Sequence, residues 1–176
     1  MNIQISEYFT YRKLIRFVLP SVIMMIFTSI YGVIDGYFVS NVAGKTAFAA
    51  VNLVMPFVMI LGGMGFMIGT GGTALVSKTL GEGNKEKANQ YFSMMIIFAV
   101  LLGIILIIAG ILLIRPVAVL FGASEAMLED CVAYGRTVIS FTCAFMLQNI
   151  FQTFLVAAEK PKFGLYTTIA AGVTNI

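Results

Sequence analysis

Apolar residues run along this chain in long unbroken stretches rather than in alternation with polar ones. Thr46–Ser77, Ala88–Ile114 and Thr137–Ala158 contain no Asp, Glu, Lys or Arg, and Phe17–Gly44 contains one, Asp35. A helix needs about 20 apolar residues to cross about 30 Å of hydrocarbon, and each stretch is long enough. Lipid offers the backbone no hydrogen-bond partner, so a spanning segment is a helix or part of a closed barrel. Barrel strands alternate apolar and polar residues over about 10 positions. Continuous runs therefore predict helices, and the fold class is an all-α polytopic membrane protein.

The expected spans are TM1 at 14–39, TM2 at 47–79, TM3 at 89–114, TM4 at 130–158 and TM5 at 163–176. The last reaches only about 21 Å at 1.5 Å per residue, so the sequence reads as cut inside TM5. Pro20 falls in the first turns of TM1, where a missing N–H costs least. TM2 carries Pro56 and six glycines between Gly62 and Gly72. Its Gly65, Gly69, Thr73 and Ser77 recur every fourth residue, a small-residue stripe that admits a close neighbouring helix. Asn84 is placed to cap the start of TM3, and Ser124 to cap a helix leading into TM4. TM3 is almost wholly aliphatic and is expected to face lipid as much as protein.

Composition sharpens this picture. Charged residues make up 11% of the chain, against about 25% in a soluble domain. The net charge of +3 does not point to nucleic acid, because the basic residues are distributed by side. Arg12, Lys13, Arg16, Lys78, Lys85, Lys87, Lys160 and Lys162 fall on the N-terminal side and in the second and fourth loops. Only Lys45, Arg115 and Arg136 fall on the opposite side. The positive-inside rule then places the N-terminus in the cytoplasm, and the expected location is the plasma (inner) membrane, as a multi-pass chain. The run before Ala47-Phe48-Ala49 is too long for a cleaved signal peptide. Gly69–Ala74 loosely matches a dinucleotide loop but follows no strand. There is no histidine. Cys131 and Cys143 have no metal-ligand or redox spacing and read as small apolar packing residues. No catalytic constellation, metal site or cofactor is expected.

Asp35 is the main candidate for chemistry. A carboxylate inside a span costs about 2.5–3.5 kcal/mol on insertion scales, so such groups are usually functional. The bland alternative is that TM1 ends near Gly36 and leaves Asp35 among the headgroups. Tyr31 lies one turn earlier on the same face, and Thr28 extends that face inward. Thr137, Ser140, Gln148 and Gln152 form one polar stripe on TM4, either lining a wet cavity or bonding to neighbouring helices. Asn52 and Asn175 are lone polar groups that need buried or wet partners.

Several segments in order resemble the MATE (multidrug and toxic compound extrusion) family. They are Leu19-Pro20-Ser21, Val33–Ser40, Ala49-Ala50-Val51-Asn52, Ser77–Asn84 with Glu86-Lys87-Ala88, Lys160-Pro161-Lys162 and Thr174-Asn175-Ile176. The resemblance implies a twelve-helix transporter of two six-helix lobes. Residues 1–176 would then be an incomplete N-terminal lobe whose partner is the missing C-terminal lobe of the same protein. It implies a secondary active antiporter, not an enzyme, that exports cationic amphipathic small molecules in exchange for protons or sodium ions. It also implies a coupling site of Asp35, Tyr31 and Asn175, with Thr28, Asn52, Gln148 and Gln152 as possible cavity lining. The alternatives are a lipid-linked sugar flippase of a related family, a membrane enzyme acting on lipid, or a non-transporting membrane assembly protein.

Overall fold

In the computed structural model, which describes residues 10–158 and 160–175, the apolar runs form helices. They are α1 (Tyr11–Phe38), α2 (Gly44–Gly81), α3 (Lys85–Leu120), α4 (Glu125–Ser140), α5 (Thr142–Ala157) and α6 (Pro161–Asn175). A π-helical turn, Val39–Ala43, joins α1 to α2. Gly44 follows it at φ 90°, a backbone conformation that favours glycine, so α2 can start without a loop. Helices α1, α2 and α3 are each long and apolar enough to cross a membrane, and α4 with α5 supplies a fourth crossing if the pair is one span.

The tight connections have local causes. After α2, the Asn84 N–H donates to the Thr79 carbonyl and Gly83 takes φ 81°. This left-handed glycine cap satisfies carbonyls that the helix end would otherwise leave open. Asn84 then caps α3, its side chain accepting from the Lys87 N–H at 3.1 Å. Gly122, at φ 93°, ends α3 in the same way. Ser124 occupies the N-cap position of α4, but its side chain makes no capping hydrogen bond.

The span expected over 130–158 is not one helix. It breaks at Phe141, and α4 and α5 are bent by 48°. No proline or glycine lies at the break. Instead the Thr137 and Ser140 hydroxyls donate to the Ala133 and Arg136 carbonyls, four residues back. Such side-chain bonds compete with the helix ladder, although Thr28 and Ser29 make the same bonds in unbroken α1. The Phe141 N–H reaches back three residues to the Val138 carbonyl rather than four.

Helices α2, α3, α4 and α5 enclose the core, which includes Val54, Leu61, Ile114, Ile139 and Met146. A smaller cluster of Met95, Ala99 and Ile150 continues it along α3 and α5. On α3 the buried residues Met95, Ala99, Gly103, Leu106, Gly110, Ile114 and Ala118 follow one helical face, while Ile97, Leu101, Ile105 and Leu112 are exposed. An exposed aliphatic face of this kind suits a helix of a membrane-spanning bundle, where lipid tails are as apolar as the side chains.

Glycines bring these helices close. A Cβ added at Gly65 would lie 2.6 Å from Met146 Cα, and one at Gly69 would lie 2.9 Å from Thr153 Oγ1. Gly103 packs against Cys143, Gly110 against Ile139, and Gly135 against Ile114. Contact positions rise together along α2 and α5, which therefore run parallel. Along α3 they fall as those on α4 and α5 rise, so α3 is antiparallel to both. Helix α6 returns antiparallel to α5, with Gly164 near Leu155, and runs parallel to α1, with Gly172 against Phe27.

This arrangement brings the start of α1, the α2–α3 turn and the α5–α6 turn to one end of the bundle. Lys45, Arg115 and Arg136 belong to the segments nearer the other end.

Candidate functional site

Asp35 stands on the last turns of α1, where the π-helical turn and Gly44 fold the chain back so that α2 begins beside it. A cavity of about 510 Å³ opens there. Its walls come from α1 (Gly32, Asp35, Gly36, Tyr37), the turn (Val39, Ser40), α2 (Phe48, Val51, Asn52, Met55) and α4 (Tyr134). Asp35 is exposed to this space. Asn52 is held by its own helix, its Nδ2 donating to the Phe48 carbonyl at 2.8 Å. Tyr134 is half-buried and lines the same cavity as Asp35. The cavity therefore joins one carboxylate and one amide to the rings of Tyr37, Phe48 and Tyr134. Aromatic faces attract cations, most strongly where water is excluded.

The other candidates are placed as follows. Tyr31 sits one turn before Asp35 and half-buried, but it does not line this cavity. Thr28 donates its hydroxyl to the Met24 carbonyl at 2.9 Å, within its own helix. The Asn175 side chain lies outside the described residues. Its backbone position is informative: Gly172 meets Phe27, and α1 and α6 run parallel. One further turn on each helix brings Tyr31 and Asn175 to the same level.

Gln148 and Gln152 line a second cavity, of about 470 Å³, between α5 and α6 with Phe151, Phe154, Phe163, Thr167 and Thr168. Gln152 Nε2 lies 3.0 Å from Thr168 Oγ1 and 3.0 Å from Met24 Sδ, so one amide touches both α6 and α1. Thr137 and Ser140, on the same sequence stripe, are exposed and bond their own backbone. Cys131 is buried in the core, and Cys143 packs against Gly103.

Tyr134 was not singled out by sequence reasoning. The signal was present: it precedes Thr137 by three residues, so the TM4 polar stripe, extended one turn toward the N-terminus, ends on it.

Known proteins share this arrangement of helices. The chain is 26% identical over 166 residues to the multidrug export protein MepA of Staphylococcus saprophyticus, which covers 94% of this chain and 37% of that protein. It is 26% identical over 167 residues to the probable multidrug resistance protein YoeA of Bacillus subtilis, covering 94% of this chain and 36% of YoeA. It thus spans a little over a third of the length of these curated relatives. Among solved structures, the crystal structure of MATE in complex with MaD3S superposes with a TM-score of 0.83 at 22% identity, over 90% of this chain and 35% of that one. This shows the shared fold. The MatE family model matches residues 20–176. The chain is thus a multi-pass membrane protein that belongs to the MatE family of transporters.

Proposed function

We propose that this chain is the N-terminal part of a secondary active antiporter that exports cationic amphipathic small molecules, driven by protons or sodium ions. The observation that carries the reading is the Asp35 cavity. It sets one carboxylate, in an otherwise uncharged run, against three aromatic rings, an amide and the thioether of Met55. A lipophilic cation needs those groups: a counter-charge, ring faces and adaptable apolar contact. The relatives' names, multidrug export and multidrug resistance, agree with that chemistry.

In the proposed cycle the ionised Asp35 holds the cation. Proton or sodium binding at the same carboxylate removes the counter-charge and favours a different helix packing, and the cation leaves. A ligand shifts such an equilibrium only by its differential affinity for the two states, so Asp35 must bind cation and coupling ion in competition. Access alternates by rocking of this lobe against a second one in the whole transporter. The basic residues gathered at the α1 start, the α2–α3 turn and the α5–α6 turn support a cytoplasmic N-terminus in the plasma membrane.

The test is efflux of a fluorescent cation such as ethidium from cells carrying the whole transporter. Asp35→Asn should abolish efflux at normal membrane abundance. Full efflux by that variant would remove Asp35 from the coupling step.

A further inference from the structure

The helices divide into two packed groups. In the first, α2, α3, α4 and α5 interlock through glycine contacts: Gly65 on Met146, Gly103 on Cys143, Gly110 on Ile139. A chain of backbone-close contacts of this kind does not slide, because interiors at that density have discrete packings rather than a continuum. In the second group, α1 packs along α6, with Phe27 seated on Gly172. The joints between the groups are few. Helix α1 continues into the π-helical turn and α2, and α6 touches α5, with Gly164 near Leu155.

Among the described residues, one polar side chain links both α1 and α6 to the first group. Gln152, on the rigid group, donates to Thr168 on α6 and meets Met24 on α1 with the same amide nitrogen. The Thr168 hydroxyl in turn donates to the Gly164 carbonyl at 3.0 Å, which leaves its lone pair aimed at Gln152. The approaches of Gly164 to Leu155 and of Gly36 to Phe48 across the boundary are apolar and weakly directional.

We infer that Gln152 is a positioning residue: it latches the α1–α6 pair, moving as one unit, to the α2–α5 group. Because α1 carries Asp35, the latch sets where that carboxylate stands relative to Asn52 and Tyr134. Release of Gln152 lets the pair swing about the π-helical turn at Val39–Ala43. This extends the exporter reading, but its structural core holds whether or not the chain exports drugs.

The experiment measures distances between nitroxide labels by pulsed electron resonance, in the whole transporter in lipid nanodiscs with Cys131→Ala and Cys143→Ala. Ile15, Val173 and Ile105 are exposed positions for the labels. The Ile15→Cys/Val173→Cys pair, within the α1–α6 unit, should give one narrow distance. The Ile15→Cys/Ile105→Cys pair, across the boundary, should give two distances. Gln152→Leu and Thr168→Val should each change the ratio of those two populations by about threefold, the worth of one interhelical hydrogen bond in a membrane. Thr168→Ser keeps the hydroxyl and should restore the original ratio. A within-pair distribution as broad as the cross-boundary one would overturn the single unit. A single cross-boundary distance, or populations that ignore both Gln152→Leu and Thr168→Val, would overturn the latch. An unmutated protein that shows both distances yet moves no ethidium would count against the exporter reading and leave the latch standing.

Discussion

Gly65 on α2 sits so close to Met146 on α5 that an added methyl group would lie 2.6 Å from the Met146 Cα. The obstacle is backbone, so no rotamer change relieves it. Gly71 lies on the same helix with nothing within 4 Å of its would-be Cβ. The two glycines therefore predict opposite outcomes for one substitution. Gly65→Ala should destabilise the protein by about 1–3 kcal/mol through overpacking. Gly71→Ala should be neutral or stabilising, since alanine is the better helix former by about 1 kcal/mol. Thermal unfolding in detergent, followed by thiol reactivity of the buried Cys131, separates them. Equal midpoints would show that α2 and α5 are not held backbone to backbone.

These contacts show what the sequence alone could reveal. The Gly65–Gly69–Thr73 stripe announced a close neighbour, and α5 is that neighbour, with Thr73 Oγ1 3.3 Å from Thr153 Oγ1. Its identity was hidden, because a four-residue period says which face is small and nothing about what packs there. The Asn84 cap was legible because capping is local. The break at Phe141 was not, because no proline or glycine marks it. For Asp35 the sequence pointed along the helix to Tyr31. It also offered Asn52 as cavity lining, and the cavity does include Asn52; Tyr134 joins it from α4, a consequence of the turn at Gly44 and the packing of α4 on α2.

Tyr134 should matter through its ring. Tyr134→Phe keeps the aromatic face toward the Asp35 cavity, and Tyr134→Ala removes it. A cation–π contact is worth about 0.5–2 kcal/mol, equivalent to about 2- to 30-fold in affinity. Binding of tetraphenylphosphonium to the purified transporter should therefore weaken within that range for Tyr134→Ala and by less than about twofold for Tyr134→Phe. If both variants lose affinity equally, the hydroxyl rather than the ring is the contributing group.

Arg115, near the end of α3, and Glu129, on α4, approach to 3.2 Å, but both side chains are more than half exposed, at 58% and 75%. An exposed pair contributes about 0–1 kcal/mol, and salt screens it. A double-mutant cycle of Arg115→Ala and Glu129→Ala should give a coupling inside that range that shrinks further in 1 M salt. A coupling well above it, insensitive to salt, would mean that the pair is buried in the working protein.

The last prediction concerns which way the bundle faces. Eight of the eleven Lys and Arg residues belong to the α1 start, the α2–α3 connection and the α5–α6 connection, which the parallel and antiparallel packing gathers at one end. Asp35, the start of α2 and the start of α4 lie toward the opposite end. If the basic end faces the cytoplasm, the Asp35 cavity lies toward the outer half of the membrane, where an incoming proton or sodium ion would meet it first. Single cysteines at Glu82 and Ser124 read this directly, with Cys131 and Cys143 replaced by alanine. A membrane-impermeant maleimide applied to intact cells should label Ser124→Cys at once and Glu82→Cys only after the cells are permeabilised. The reverse pattern would turn the bundle over. Asp35 would then open toward the cytoplasm, and the step in which an external ion displaces the exported cation from that carboxylate would lose its physical basis.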